Sequence, residues 1–258
     1  MSLIAMAVHD TEENGRSRLT LECMECLIVS RVFPKHRLII VDNGSCLESK
    51  NHIEKFVKDF DLWATVITLP ENIGTAAAIN LAWKQRRPGE HCIKIDNDIV
   101  INHSGWVEEM EAAIAREPKI GQIGLKRKDC WEYPGHENPE IRSKLHMLPH
   151  VAGEPWIVIE QAKHIIGSCV MHSAALLDKV GYLWQPGLYG YDDVLMSWRA
   201  NLAGFICAFL PHINIDHIDT GGDEYTDWKH RHSGQYAKQV SDLVDEYIAG
   251  TKSIYYEP

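Results

Sequence analysis

No run of apolar residues in this chain approaches the ~18 that a membrane-spanning helix needs. The opening SLIAMAV is short, lacks a basic leader and runs straight into His9, Asp10, Glu12 and Glu13, so it reads as a first core strand and not as a targeting peptide. Positive charge is also scarce. With 26 Lys and Arg against 36 Asp and Glu, the formal net charge is −10, which argues against broad binding to nucleic acid or anionic lipid, because both need basic surface to displace counterions. The one local cluster, Lys126, Arg127 and Lys128 followed by Trp131 and Tyr133, reads as a solvated loop beside a strand end. The 7 cysteines are odd in number and follow no framework spacing, which excludes a disulfide-stapled scaffold and fits a reducing compartment. Cys23 and Cys26 form a C-x-x-C, but they fall in a helical pattern with no second pair to complete a tetrahedral metal site. No G-x-G-x-x-G follows the first apolar run and no G-x-x-x-x-G-K-[ST] occurs, so dinucleotide and P-loop readings lose their main support. A cytoplasmic protein follows by default, with peripheral membrane contact left open.

What is present is an alternation of short apolar runs and helical patterns. Leu3 to Val8, Leu38 to Val41, Thr65 to Leu69 and Cys92 to Ile95 read as strands. Between and after them, helical spacing appears at Leu19, Cys23, Cys26 and Leu27, at Ile53, Phe56, Val57 and Phe60, at Ala78, Ile79, Ala82 and Trp83, and at Val107, Met110 and Ile114, with Ser104 as the expected cap of the last. Repeated strand–helix units imply a mostly parallel sheet covered on both faces. Periodicity breaks from Lys126 to about Glu160, a stretch with four prolines and with Trp131, Tyr133 and Trp156, which is expected to be a functional loop or lid. It resumes with a strand from Ile165 to Met171, a helix from Ser173 to Val180, a helix whose stripe is Val194, Leu195, Trp198 and Leu202, a strand from Phe205 to Leu210, and a terminal helix near Tyr236 to Ile248.

Ligands of such sheets bind at the carboxyl ends of the strands, where Asp10, Asp42, Asp96 and Asp98 fall. Strand alternation would send Asp96 and Asp98 to one side and Asn97 to the other. Two carboxylates so placed suit Mg²⁺ or Mn²⁺, which take one or two carboxylates and fill the other positions with water and phosphate oxygens. An isolated Asp-x-Asp is equally at home in a turn that bonds to its own backbone. Asp192 and Asp193 stand at a predicted helix start, where the macrodipole favours an ionised carboxylate and hence a general base.

Taken in order, VDNGS (41–45), ENIGTAAAINLAW (71–83), the Asp-x-Asp at 96–98, GSCVMHSAALLDKVGYL (167–183) and GLYGYDDVLMSWRANLAGF (187–205) resemble the successive signatures of GT-A family 2-type glycosyltransferases over roughly residues 3–220. The resemblance implies an α/β fold, a single Rossmann-like GT-A domain with a mostly parallel central sheet, its donor half to about residue 125, its acceptor half from 126 to 220, and residues 221–258 packed on it as an extension. It implies a metal-dependent, inverting transfer of sugar from a UDP- or GDP-type donor to a hydroxyl of a glycan, lipid-linked sugar or other acceptor. By the same likeness Asp42 would recognise the nucleotide base, Asp98 would ligate Mn²⁺ or Mg²⁺, and Asp96 would contact ribose or the metal's waters. Asp193 would be the base, with Asp192 beside it, Arg199 the donor-binding arginine six residues on, and His217 a metal or diphosphate ligand, with His212 as its rival. Asn72 and Gly74, at a strand-to-helix junction, would bring backbone close to the donor.

Two other readings compete. A nucleotidyltransferase can share such a sheet, but the Gly-rich basic loop it carries after the first strand is missing. A sugar-nucleotide or glycan binding module without turnover would keep the fold, and intact Asp96, Asp98 and Asp193 speak against it. A zinc site using His164, Cys169 and His172 is weaker, since these residues lie on or beside an apolar strand.

Overall fold

The computed structural model describes residues 1–130, 144–219, 221 and 223–258. Trp131 and Tyr133, part of the expected lid, lie outside the described residues. The chain opens with four strand–helix units: β1 (Leu3–Val8), α1 (Ser17–Val29), β2 (Arg37–Asn43), α2 (Leu47–Asp59), β3 (Ala64–Leu69), α3 (Thr75–Trp83), β4 (Cys92–Ile95), the two-residue β5 (Ile99–Val100) and α4 (Trp106–Arg116). It continues through β6 (Ile120–Arg127), β7 (Lys144–Met147), β8 (Val158–Ala162), β9 (Cys169–His172), α5 (Ala174–Val180), α6 (Asp192–Leu202), β10 (Ile206–His217), α7 (Asp223–Gly234) and α8 (Ala237–Ala249).

The sheet runs β3-β2-β1-β4-β9-β6-β10-β8-β7, with β5 on β10. Strands β1 to β4 are mutually parallel, β6 and β10 are parallel, and β9 runs antiparallel between β4 and β6. Alternation along β1 sorts the core into two layers. Ile4, Met6 and Val8 pack with Met24, Leu27, Phe56, Trp106 and Met110 of α1, α2 and α4, whereas Leu3 and Ala5 pack with Ile79, Trp83, Leu176 and Met196 of α3, α5 and α6. Each fully buried Leu or Ile of this kind stabilises the fold by about 1.5–3 kcal/mol relative to exposure. The C-terminal α8 packs on α6 through Leu195, Val240, Leu243 and Tyr247. No helix among the described residues is long and apolar enough to cross a membrane.

Four local expectations are corrected. Gly105, not Ser104, occupies the cap position of α4. The inward face of α6 is Leu195, Met196, Ser197, Arg199 and Ala200, while Trp198 and Leu202 are exposed, because the helix is buried against the sheet on one side and α8 on the other and so has two apolar flanks. Part of the 126–160 segment is regular: β7 and β8 form an antiparallel hairpin that extends the sheet. Strand β10 continues well past Leu210, to His217.

Candidate active site

The cleft lies at the carboxyl ends of β1, β2 and β4, closed on the far side by the start of α6 and by α7, and has a volume of about 530 Å³, the size of a small-molecule site. Its lining brings together Asn72, Asp96, Asp98, Asp192, Asp193 and His217 of the residues the sequence points to. Asp42, Gly74 and Arg199 are not among them.

Strand β4 ends at Ile95, so Asp96, Asn97 and Asp98 form the turn into β5; their placement comes from that turn and not from strand alternation. Several groups pin it. Asp96 N–H donates to Ser168 O at 2.9 Å. The Cys23 thiol donates to Asp96 O at 3.4 Å and the Cys26 thiol to Ile99 O at 3.5 Å, so the C-x-x-C of α1 sits beneath the turn. Asn97 donates to Asp10 at 3.0 Å and to Thr20 at 2.6 Å, and Asp10 also accepts from Thr20 at 2.6 Å and Ser49 at 2.7 Å. Asp10 is therefore a buried brace linking β1, α1, α2 and the turn.

Asp98 accepts from Arg16 at 2.6 Å, and its Oδ2 lies 3.3 Å from His217 Nε2. Its Oδ1 is buried without a hydrogen-bond partner. Burial raises its pKa, but His217 and Arg16 together outweigh burial and hold the carboxyl well below the usual range. Arg16 also pairs with Asp219, just past β10. His217 reaches the turn because β10 pairs with β5, His217 opposite Ile99. His212 points elsewhere, onto Glu109 of α4.

The residue the sequence reading missed is Lys94. Ile93 and Ile95 face the α1/α4 layer, so alternation turns Lys94 to the opposite face, toward α6. Its ammonium is 2.9 Å from Asp96 and 3.6 Å from Asp192, and donates to Gly167 O at 2.8 Å. Burial alone would lower its pKa; the two aspartates more than offset that and raise it. A lysine in an otherwise apolar strand was the available signal.

Asp193 accepts from Gly167 N–H at 3.1 Å and from Val194 N–H at 2.7 Å, with His164 Nε2 at 3.4 Å. Burial pushes its pKa up, while His164, Lys94 and the Gly167 amide pull it lower than an ordinary aspartate. Asp192 is more deeply buried, its Oδ2 has no hydrogen-bond partner, and burial raises its pKa against the pull of Lys94. The two neighbouring carboxylates are thus pushed in opposite directions.

Asn72 Oδ1 accepts from Asn43 at 2.8 Å and from Gly74 N–H at 2.9 Å. Gly74 has φ +93°, and a Cβ there would stand 3.1 Å from Gly187 O, so glycine permits the 187–188 loop to close on α3. That loop takes the first amides of α3: Thr75 N–H donates to Leu188 O and Ala76 N–H to the Gln185 side chain. The expectation that the start of α3 presents free amides to a donor is corrected accordingly. Asp42 accepts from Ser45 N–H at 2.8 Å and is 1% exposed, and the wall of the cleft at that point is Asn43.

Arg199 is corrected outright. It is fully buried away from the cleft and donates to the backbone carbonyls of Ile254 at 2.6 Å, Tyr182 at 2.7 Å and Val180, which makes it a clamp between α6 and the ends of neighbouring segments. The expected lid aromatic Trp156 is exposed, stacks on His150 and does not line the cleft. The aromatic wall comes instead from Tyr189 and from Trp228 of α7, whose rings meet edge-on at 5.7 Å, with Lys229 alongside. The polar, His-rich sequence of α7 hid that helix.

A sheet of this order with paired acidic turns at the ends of β4 and before α6 defines a GT-A nucleotide-sugar fold. The chain belongs to glycosyl transferase family 2, whose model matches residues 16–181. No curated protein sequence matches it. Among solved structures it is similar to a mannosyltransferase from Pyrobaculum calidifontis in complex with GDP-mannose and Mn²⁺, with 16% identity, TM-score 0.68, and 93% of this chain on 64% of that one. It is also similar to GalNAc-T7 with UDP, GalNAc and Mn²⁺, at 12% identity, TM-score 0.61, 84% of this chain and 43% of that one. A third is residues 1–349 of TarS from S. aureus in complex with UDP-GlcNAc, at 18% identity, TM-score 0.59, 86% of this chain and 62% of that one. The chain therefore spans less than two thirds of the length of each of these structures.

Proposed function

We propose that this chain transfers a sugar from a UDP- or GDP-linked donor to an acceptor hydroxyl, with a divalent metal and with inversion at the anomeric carbon. The observation that carries the reading is the pairing, across one cleft, of a braced Asp96/Asp98 turn with the Asp192/Asp193 start of α6. The metal position fits the residues present: Asp98 has an unpartnered buried oxygen and stands beside the His217 imidazole; carboxylate, water and diphosphate oxygens suit Mn²⁺ or Mg²⁺, and the single imidazole favours the softer Mn²⁺. Asp98 and His217 would hold the ion, with Asp96 on its waters; when bound it supplies charge stabilisation for the leaving diphosphate. The protein's own cations add to this, since Arg16, Lys94 and Lys229 line the same cleft.

In the transfer itself the acceptor oxygen forms a bond to the anomeric carbon as the bond from that carbon to the diphosphate oxygen breaks. The acceptor's proton passes to the Asp193 carboxylate, which its low pKa keeps ionised. Gly167 N–H and His164 fix that carboxylate in place. A single displacement with base and leaving group on opposite sides inverts the configuration. Asn43, Asn72 and His9 line the end of the cleft nearest β1 and β2, the place for the nucleoside, and Tyr189 and Trp228 offer ring faces to an acceptor sugar. A nucleotide-sugar panel read by thermal shift with and without Mn²⁺, followed by NMR of the product's anomeric configuration, tests the reading. Stabilisation by no nucleoside diphosphate sugar in the presence of metal, or a product of retained configuration, would overturn it.

A further inference from the structure

A second group of metal-ligating side chains lies outside the cleft. His103 in the loop after β5, Glu109 on α4 and His212 on β10 bring their ligand atoms within 4.8 Å of one another. His103 Nε2 is 2.7 Å from one oxygen of Glu109, and His212 Nε2 is 2.7 Å from the other. The two imidazole rings meet nearly edge to face, 6.0 Å between centroids. Local structure aims these residues at one another. Pairing of β10 with β6 slips between Leu210 and Asn214, and a bulge of this kind re-aims a side chain; here it turns His212 to α4. Glu109 stands in the first turns of α4, its amide bonded to Gly105 O at 3.0 Å, and His103 precedes that helix by a short turn.

We propose that His103, Glu109 and His212 form a binding site for a divalent transition ion of the zinc class, separate from the donor cleft. Two imidazole nitrogens and a carboxylate are borderline ligands that suit Zn²⁺, Co²⁺ or Ni²⁺ better than Mg²⁺ or Ca²⁺. Zinc bonds of about 2.0–2.1 Å in tetrahedral geometry set neighbouring ligand atoms about 3.3 Å apart, a spacing that falls between the 2.7 Å of the present hydrogen bonds and the 4.8 Å within which all three ligand atoms lie. Each neutral imidazole frees Nε2 for the ion by carrying its single ring proton on Nδ1 instead of sharing it with Glu109, so the ion replaces two hydrogen bonds with three coordinate bonds. All three side chains are partly exposed, which leaves the remaining coordination position to water.

The site has a structural consequence for the fold. Loop 101–105 leaves β5, whose Ile99 pairs with His217 of β10, and His212 lies on that same β10. An ion held by His103, Glu109 and His212 therefore staples α4 to the short ribbon that carries Asp98 and His217, without touching the cleft.

The test is calorimetric titration of Zn²⁺ into the full chain in millimolar Mg²⁺, with Co²⁺ absorption as a second readout. The expected result is one zinc equivalent bound, a Tm raised by zinc, and at least tenfold weaker binding in His212→Gln and Glu109→Gln, with binding retained in Asp98→Asn. Co²⁺ should give visible bands that both site variants lose. No bound equivalent in the wild type, or loss of zinc binding in Asp98→Asn with retention in Glu109→Gln, would overturn the proposal, the second by moving the ion to the cleft. Should His212→Gln fail to fold, Glu109→Gln alone decides, because its carboxamide keeps a hydrogen-bonding group for the histidines.

Discussion

Replacing Lys94 with methionine isolates the least expected interaction of the site. The side chain keeps its length and apolar stem but loses the ammonium that stands 2.9 Å from Asp96 and 3.6 Å from Asp192 and donates to Gly167 O. Removing one partner of a buried ion pair costs about 3–5 kcal/mol. Asp96 is one third exposed, so water offsets part of the loss and about 3 kcal/mol is expected, a fall in Tm of roughly 6–12 °C for a chain of this size. The pH dependence is sharper than the magnitude. Asp192 already has a raised pKa because of burial, with Lys94 holding it down against Asp193 and Asp96. Without Lys94 it rises further, and a carboxyl with a raised folded pKa favours the folded state as pH falls through that value and disfavours it above. The stability gap between wild type and Lys94→Met should thus be widest at about pH 8 and narrow by about pH 5, where ordinary carboxyls are still ionised. Urea unfolding at the two pH values measures this. Equal stability at pH 8, or a gap that does not change with pH, would refute the placement of Lys94 as the counter-ion of these carboxylates.

Asp193→Asn should lower kcat by about 10²–10⁴ while changing donor affinity little, as loss of a base does, and Asp192→Asn should be milder; single-turnover rates and calorimetry separate the two effects. Because the Asp193 carboxyl is held below its ordinary pKa, kcat/KM measured with metal saturating at every pH should stay flat from about pH 8 to about pH 5, the acid limb falling below the usual carboxylate value, and a limb near pH 6 that persists at saturating metal would move the base elsewhere. By the same sign, Asp193 contributes stability above the unfolded carboxylate pKa and loses it as pH falls through its lower folded value. Arg199→Met should cost at least about 3 kcal/mol, since three carbonyls lose a buried donor, yet leave the affinity of surviving folded protein for UDP or GDP unchanged in a binding titration.

Much of the fold was legible because its first half is periodic. The boundaries of β4 fall where the apolar run CIKI ends, and the helix read from Ser173 to Val180 is α5, with Ser173 as its cap, accepting from Leu176 N–H at 3.2 Å. What failed did so for physical reasons. Helix α6 is buried on two sides, so no single stripe describes it, and α7 reads as polar loop because its sequence, DEYTDWKHRHSG, has little apolar content. At the site, acidic residues were findable by motif, but motif spacing cannot tell an arginine that faces substrate from one that ties backbone carbonyls together, and Arg199 was misplaced on that account. Asp10 and Asp98 are both aspartates after strands; only the structure distinguishes the one saturated by Thr20, Ser49 and Asn97 from the one with a free oxygen.

Strand β9 runs against β4 and β6, so its beginning, not its end, arrives at the cleft. The residues that lead into it serve two masters at once: Ser168 O holds the Asp96 amide, Gly167 O holds Lys94, and Gly167 N–H holds Asp193. A methyl group at position 167 would stand 2.9 Å from Lys94 Nζ and 3.2 Å from Asp193 Cβ. The Lys94 ammonium and the Asp193 carboxylate therefore share a hinge pin one residue wide, and under the proposed function a side chain at that residue would disturb the holding of the leaving group and of the base together.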